Sequence, residues 1–267
     1  MNRRTRNRIL FALLVGLLIV FTELIARLYI VMAYPKGSAP AAAQAEIVKL
    51  HMSLTPDGYW VQSDFAGTFY NIQNNQRRTV GQPARFVRSV WLFGNSGTFD
   101  PYVDDAHTMA SQLQALLNAS GYAWRVVNLG ASGQFSSGDL ARLKDTPVRA
   151  GDIIVFIDGS MDMTTHDSCS DRLATYYMAC AWYWSVHPSA PDVARFARNI
   201  ASARAYTHAA GAQFIQFVQP YIATHYLDVL PGPHIYLPPS DFVDSSHMNA
   251  QGDAVVARVL YDSMAAF

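Results

Sequence analysis

Four short apolar runs, with segments of helical hydrophobic spacing between and after them, constrain this chain more than any other feature. The runs are residues 89–93 (SVWLF), 124–129 (WRVVNL), 152–157 (DIIVFI) and 212–218 (AQFIQFV), and DIIVFI is apolar enough to be buried on both faces. Residues 104–119 carry Met109, Leu113, Leu116 and Leu117 at helical spacing, residues 136–144 form a shorter helix candidate, and residues 192–210 resume the spacing with Val193, Phe196 and Ile200. A last helix is expected over residues 250–264. Strands alternating with helices predict a parallel sheet covered on both sides, a doubly wound α/β domain in three layers. Residues 46–85 are mixed, with a polar run at 71–78, and predict short strands or a hairpin. Residues 163–190 and 221–240 fit neither pattern. Each follows a strand at its C-terminal end, where open α/β sheets place their ligands, so both are candidate walls of a cleft.

The N-terminus is of another kind. Arg3, Arg4, Arg6 and Arg8 precede an uncharged run from Ile9 to Thr22, which continues past Glu23 and Arg27 to Ala33. Such a segment is a signal anchor or a signal peptide. Glu23 and Arg27 stand four apart and could pair on one helix face, so a tilted helix from Ile9 to Ala33 is the favoured reading. Cleavage within residues 39–45 is the competing one. In both cases the basic flank stays cytoplasmic and the remainder is exported. The expected organisation is a basic flank and anchor over residues 1–33, a linker over 34–45 and one domain over 46–267. With 267 residues, about half of them hydrophobic, one sizeable core is affordable. Twenty acidic and twenty basic residues leave no net field for a polyanion, so no nucleic-acid partner is expected. Cys169 and Cys180 would lie in an oxidising compartment and could close a short disulfide loop, or remain two buried thiols.

Chemistry concentrates in two places. SVWLF runs into Gly94-Asn95-Ser96-Gly97-Thr98, a tight turn that exposes a serine at the sheet edge with its own N–H free to face an oxyanion. Alone, this is also how an ordinary βα turn reads. Asp244-Ser245-Ser246-His247 stands just before the last helix, and an Asp three residues ahead of a His can reach one ring nitrogen and leave the other as a base. Alone, Asp244 also reads as a helix cap.

Together, in this order, the blocks resemble the SGNH hydrolases, also called the GDSL lipases and esterases. Gly94-Asn95-Ser96 is similar to the family's first block with Asn in place of Asp. Residues 128–133 (NLGASG) resemble the second, and Asp244 with His247 match the Asp-x-x-His of the last. The resemblance covers roughly residues 89–264 and extends to the helix at 105–117. It implies a flavodoxin-like parallel sheet and a Ser96–His247–Asp244 triad. It also implies an oxyanion hole from the N–H groups of Ser96 and Gly133. The family's third block, Gly-x-Asn-Asp, is Gly159-Ser160-Met161-Asp162 here, and Met161 has no hydrogen to donate where the family's Asn does. Ser160 or Asn95 is the candidate substitute in the oxyanion hole.

The resemblance further implies a serine esterase or O-acyltransferase acting on an exported polysaccharide or envelope glycan, without a cofactor. The setting it implies is the bacterial inner membrane with the domain in the periplasm, beside a membrane-bound acyltransferase or polysaccharide synthase. The alternative is an inactive SGNH-like module that binds glycan or scaffolds a synthesis complex, and a third reading is a lipase. Trp182 and Trp184, with Tyr176, Tyr177 and Tyr183, are candidate sugar platforms beside the cysteines; ordinary packing or contact with the membrane interface explains them equally. Asn95 is a further candidate substrate contact. Asp158, Asp162, His166 and Asp167 could be read as metal ligands, yet such residues are common in loops and no metal is expected. His225 and His234 are expected at the surface.

Overall fold

The computed structural model describes residues 3–33, 41–163, 190–221, 228–244 and 246–264. The chain divides into two units: residues 1–37 with 166–187, whose described part is helix α1 (Arg3–Ala33), and residues 38–165 with 188–267, which hold everything else described below.

Four parallel strands form the centre of the second unit: β6 (Arg88–Gly94), β7 (Trp124–Asn128), β8 (Ile153–Asp158) and β9 (Gln213–Val218). Their order is β7-β6-β8-β9, so the first strand is interior and the chain winds outward from it on both sides, the flavodoxin-like order. Side chains alternate between the faces. Val90, Leu92, Val126, Ile153 and Val155 pack under α4 (Met109–Ala119) and α8 (Ala250–Met264), through Leu113, Leu117, Val256 and Leu260. Trp91, Phe93, Val127, Ile154 and Phe156 pack on the other side against α5 (Ser136–Asp145), the one-turn helix α6 (Ser160–Met163) and α7 (Ala190–Ala209), through Leu143, Met163, Phe196, Ile200 and Ala203. These two cores account for the continuous apolar runs of β6 and β8: a strand covered on both faces has no polar side to alternate with.

The sheet is not wholly parallel, and here the expectation is corrected. Residues 65–77 form β3 (Phe65–Ala66), β4 (Asn71–Gln73) and β5 (Gln76–Arg77), an antiparallel meander that joins β7 through Arg77 and Asn128. Asn74 and Asn75, at φ 52° and 58°, make the two-residue turn between β4 and β5, a left-handed pair that Asn tolerates. A separate hairpin pairs β1 (Met52–Leu54) with β2 (Trp60–Gln62). Helix α2 (Ala41–Ile47) begins inside the stretch expected as linker. It is tied down by Glu46, whose carboxylate accepts from the N–H groups of Thr68, Phe69 and Tyr70 and from the Thr68 hydroxyl.

Two boundaries differ from the expected ones for visible reasons. Helix α4 starts at Met109 and not at residue 104, because Thr108 caps it by accepting from the Ser111 N–H, while Asp105 turns away to pair with Arg77. Strand β8 starts after Asp152, whose carboxylate is occupied by the Ser89 N–H and the Trp91 indole N–H.

Helix α1 carries exposed Leu10, Phe11, Leu13, Leu14, Leu17, Leu18 and Phe21. Among the described residues, no helix is long and apolar enough to cross a membrane. The uncharged run that ends at Thr22 makes about 21 Å of helix, against roughly 30 Å of hydrocarbon.

Candidate active site

The site is assembled at the C-terminal edge of the parallel strands. Strand β6 ends at Gly94, where a Cβ would lie 2.3 Å from both the Ile157 carbonyl and the Thr98 hydroxyl, so only glycine passes. Asn95 then caps the one-turn helix α3 (Ser96–Phe99): its side-chain oxygen accepts from the Gly97 N–H at 2.9 Å. Ser96 is thereby the first residue of that turn, half-buried, with a backbone N–H that has no carbonyl behind it in the helix.

The Asp244–His247 loop meets it from the other end of the chain. Ser96 Oγ lies 2.8 Å from His247 Nε2, and His247 Nδ1 lies 2.8 Å from Asp244 Oδ2. Asp244 Oδ1 also accepts from the backbone N–H groups of Ser246 and His247, each at 2.9 Å. Burial pushes the Asp244 carboxyl up, but the hydrogen bond and charge of His247 and the two N–H groups outweigh it, leaving the carboxyl below its ordinary value. Asp244 therefore stays ionised and holds the imidazole by Nδ1. Nε2 is left facing the serine hydroxyl, as a general base needs.

The loop expected to complete an oxyanion hole lies directly against the serine's turn. The Ala131 N–H donates to the Gly94 carbonyl, and the Asn128 carboxamide donates to the Thr98 carbonyl. A Cβ on Gly130 would sit 2.3 Å from the Phe99 backbone nitrogen, so that approach is backbone on backbone. Gly133, the predicted oxyanion residue, adopts φ 74° at the far end of this loop, beside the Trp60 indole. Strand β2 braces the loop: Gln62 donates to the Gly130 carbonyl, and the Trp60 N–H donates to the Gln134 side chain.

Two candidates do something other than expected. Asn95 is fully buried, and besides capping α3 it donates to Ser160 Oγ at 2.8 Å, so it faces the interior and not a substrate. The Ser160 hydroxyl in turn donates to the Gln219 side-chain oxygen at 2.7 Å. A hydroxyl has one hydrogen, and this one is already committed, so Ser160 has none left for an oxyanion. Gln219, directly after β9, passes the link on by donating to the Ser246 carbonyl at 3.1 Å. Asn95, Ser160, Gln219 and Ser246 thus tie the ends of β6, β8 and β9 to the histidine loop. The sequence offered one hint of Gln219, a polar residue straight after a buried strand at the same edge as Ser96.

Asp158 and Asp162, weighed as metal ligands, are turned inward: Asp162 accepts from the Ser136 hydroxyl and N–H, and Asp158 faces Asp139. Met161 is half-buried. His234 is also half-buried, its ring stacked on Tyr236 and its Nε2 3.3 Å from the Leu230 carbonyl, so it is not a plain surface residue. Cys169, Cys180, Trp182 and Trp184, the three tyrosines near them, His166, Asp167 and His225 lie outside the described residues.

No protein-family model matches the chain, and no curated protein does. Solved structures do. The chain is similar to the psychrotrophic esterase EstA from Pseudoalteromonas sp. at 14% identity and a TM-score of 0.45, over 66% of this chain and 96% of that one. It is similar to an acetyl xylan esterase at 15% and 0.46, over 66% and 98%. A member of the lipolytic protein G-D-S-L family from Veillonella parvula gives 14% and 0.42, over 64% and 95%. These are distant likenesses. The functional reading rests on the side chains of this chain.

Proposed function

We propose that this protein is a serine esterase or acyltransferase of the SGNH type, with Ser96 as nucleophile, His247 as general base and acid, and Asp244 as the residue that orients the imidazole and stabilises its protonated form. The observation that carries it is the unbroken run of contacts from Ser96 Oγ to His247 Nε2 and from Nδ1 to Asp244, 2.8 Å each. In the reaction, Nε2 takes the Ser96 proton as Oγ attacks an ester carbonyl carbon. The N–H groups of Ser96 and Gly133 receive the oxyanion, and the imidazolium returns its proton to the departing alkoxide. Water, or the hydroxyl of an acceptor, then attacks the acyl-enzyme by the same steps.

For the substrate we take small acyl groups on an exported polysaccharide or envelope glycan. Helix α1 is proposed as a tilted membrane anchor running on to Ala33, with the domain on the periplasmic side of a bacterial inner membrane and a polysaccharide synthase or membrane-bound acyltransferase as neighbour. The arginines before the apolar run and the exposed apolar side chains of α1 support the anchor. A second reading, an inactive module that binds glycan, is favoured by Met161 and by the committed Ser160 hydroxyl. Loss of one oxyanion donor costs roughly a hundredfold or more in rate.

The full-length chain in detergent, given p-nitrophenyl acetate, is expected to release p-nitrophenol well above the Ser96→Ala variant. Equal release by the two supports the binding module. Preference for long acyl chains in the same assay supports a lipase.

A further inference from the structure

We infer that Tyr102 is a positioning residue for the Asp244–His247 pair, and that Arg77 of β5 fixes it in that place. The inference rests on the reading of the triad above. The Tyr102 ring stands 5.1 Å from the His247 ring, centroid to centroid, at an interplanar angle of 87°. This is the edge-to-face arrangement that aromatic rings favour. Burial and the charge of Asp244 push the Tyr102 phenol up. The phenol therefore keeps its proton at neutral pH. The ring thus walls the imidazole, and the phenol feels the charge of the carboxylate that holds that imidazole.

The pair needs such a wall. Asp244 and His247 lie on a loop and not on a regular element, and their side chains are 33% and 18% exposed. Among the described residues, two ionisable side chains touch His247: Asp244, from its own loop, and Tyr102, from the turn after α3. Asp244 holds one edge of the imidazole, and the Tyr102 ring closes one direction in which it could turn away from Ser96.

Tyr102 is itself held by an unusual concentration of donors. Arg77 donates to the carbonyls of Phe99, Asp100 and Val103, and the Tyr70 hydroxyl donates to that of Pro101. Four of the five carbonyls from Phe99 to Val103 are thereby taken from outside the turn, all but that of Tyr102. The Arg77 side chain is wholly buried, ion-paired to Asp105 at 3.1 Å and lodged between the Tyr70 and Phe99 rings. The antiparallel extension of the sheet thus has a consequence at the active site: β5 delivers the guanidinium that sets the turn that sets Tyr102.

The test compares the full-length chain in detergent with its Tyr102→Phe and Tyr102→Leu variants, using Ser96→Ala as the blank. Three quantities are read: kcat and KM for p-nitrophenyl acetate across pH, and the downfield proton resonance of the His247 Nδ1–H shared with Asp244. Tyr102→Phe keeps the wall and loses only the hydroxyl, so kcat is expected to stay within about threefold of the wild type with the resonance present. Tyr102→Leu loses the wall itself, so kcat is expected to fall about tenfold or more at unchanged KM, with the resonance broadened away. Recovery by Phe of most of what Leu loses distinguishes positioning from general destabilisation. Wild-type kcat and an intact resonance in Tyr102→Leu overturn the inference, and so does a change confined to KM. If the wild type releases no more than Ser96→Ala, the hydrolytic reading fails and the resonance still decides. Its loss in Leu and retention in Phe support the positioning role, and its persistence in Leu refutes it.

Discussion

Replacing Asp139 by Asn should make the protein more stable at pH 8 and flatten its stability against pH. Asp139, on α5, and Asp158, the last residue of β8, are both fully buried and face each other. Desolvation by burial raises both. Asp139's charge then raises Asp158 further, and the hydrogen bond that protonated Asp158 donates lowers Asp139, which still ends at about 7 against an ordinary 3.8. A folded-state value above the unfolded one means that the native protein holds a proton the unfolded chain has released. Stability is then fully present below about pH 4 and is lost progressively as pH rises toward about 7. At about 1.4 kcal/mol per proton and pH unit, a carboxyl so raised in this coupled pair costs about 3 kcal/mol between pH 5 and pH 8.

A carboxamide at 139 removes that titration and still offers a donor to Asp158. Neighbouring Arg142 keeps the carbonyls of Leu129 and Asn75, to which it donates. The assay is urea unfolding of the full-length chain in detergent at pH 5 and pH 8, followed by tryptophan fluorescence. Taking the difference between variant and wild type cancels the histidines, which both share. The variant is expected to gain about 3 kcal/mol on the wild type between the two pH values. An equal difference at both would show that Asp139 is not held protonated by its surroundings, and the account of this buried pair would be wrong.

Gly130→Ala places a Cβ 2.3 Å from the Phe99 nitrogen and 2.5 Å from the Thr98 carbonyl carbon, both backbone, so the serine's turn must move; we expect a loss of about 2 kcal/mol or more by thermal melting. Esterase activity should fall by more than the stability loss explains. Gln219→Ala strips the Ser160 hydroxyl of its acceptor and the Ser246 carbonyl of its donor. Stability should fall by about 1–3 kcal/mol in urea unfolding and kcat should drop at unchanged KM, whereas a wild-type kcat would show that the link carries no catalytic geometry.

The part of this molecule that could be read in its sequence is the part whose causes are local. Strand β8 is buried on both faces, so it is written as an uninterrupted apolar run, and α8 was placed residue for residue by its spacing and by the loop before it. The Asp244–His247 contact was legible for the same reason, since three residues of loop bring a carboxylate back to Nδ1. The extension was not legible: β3 and β5 are two residues each, too short to show a period. Arg77 sits in a run of polar residues that reads as solvated surface, and its burial is compensated by Asp105 and by three carbonyls some twenty residues away in sequence. Ser160 misled because a hydroxyl's presence can be read from sequence and its commitment to Gln219 cannot. The same division holds within the active site. The three groups that would do the chemistry stand in short recognisable blocks, but what keeps them in register is spread over the ends of β6, β8 and β9, the turn after α3 and the extension. A variant that preserves every block while losing Arg77, Tyr102 or Gln219 should therefore keep the look of a hydrolase and lose the alignment on which the proposed chemistry depends.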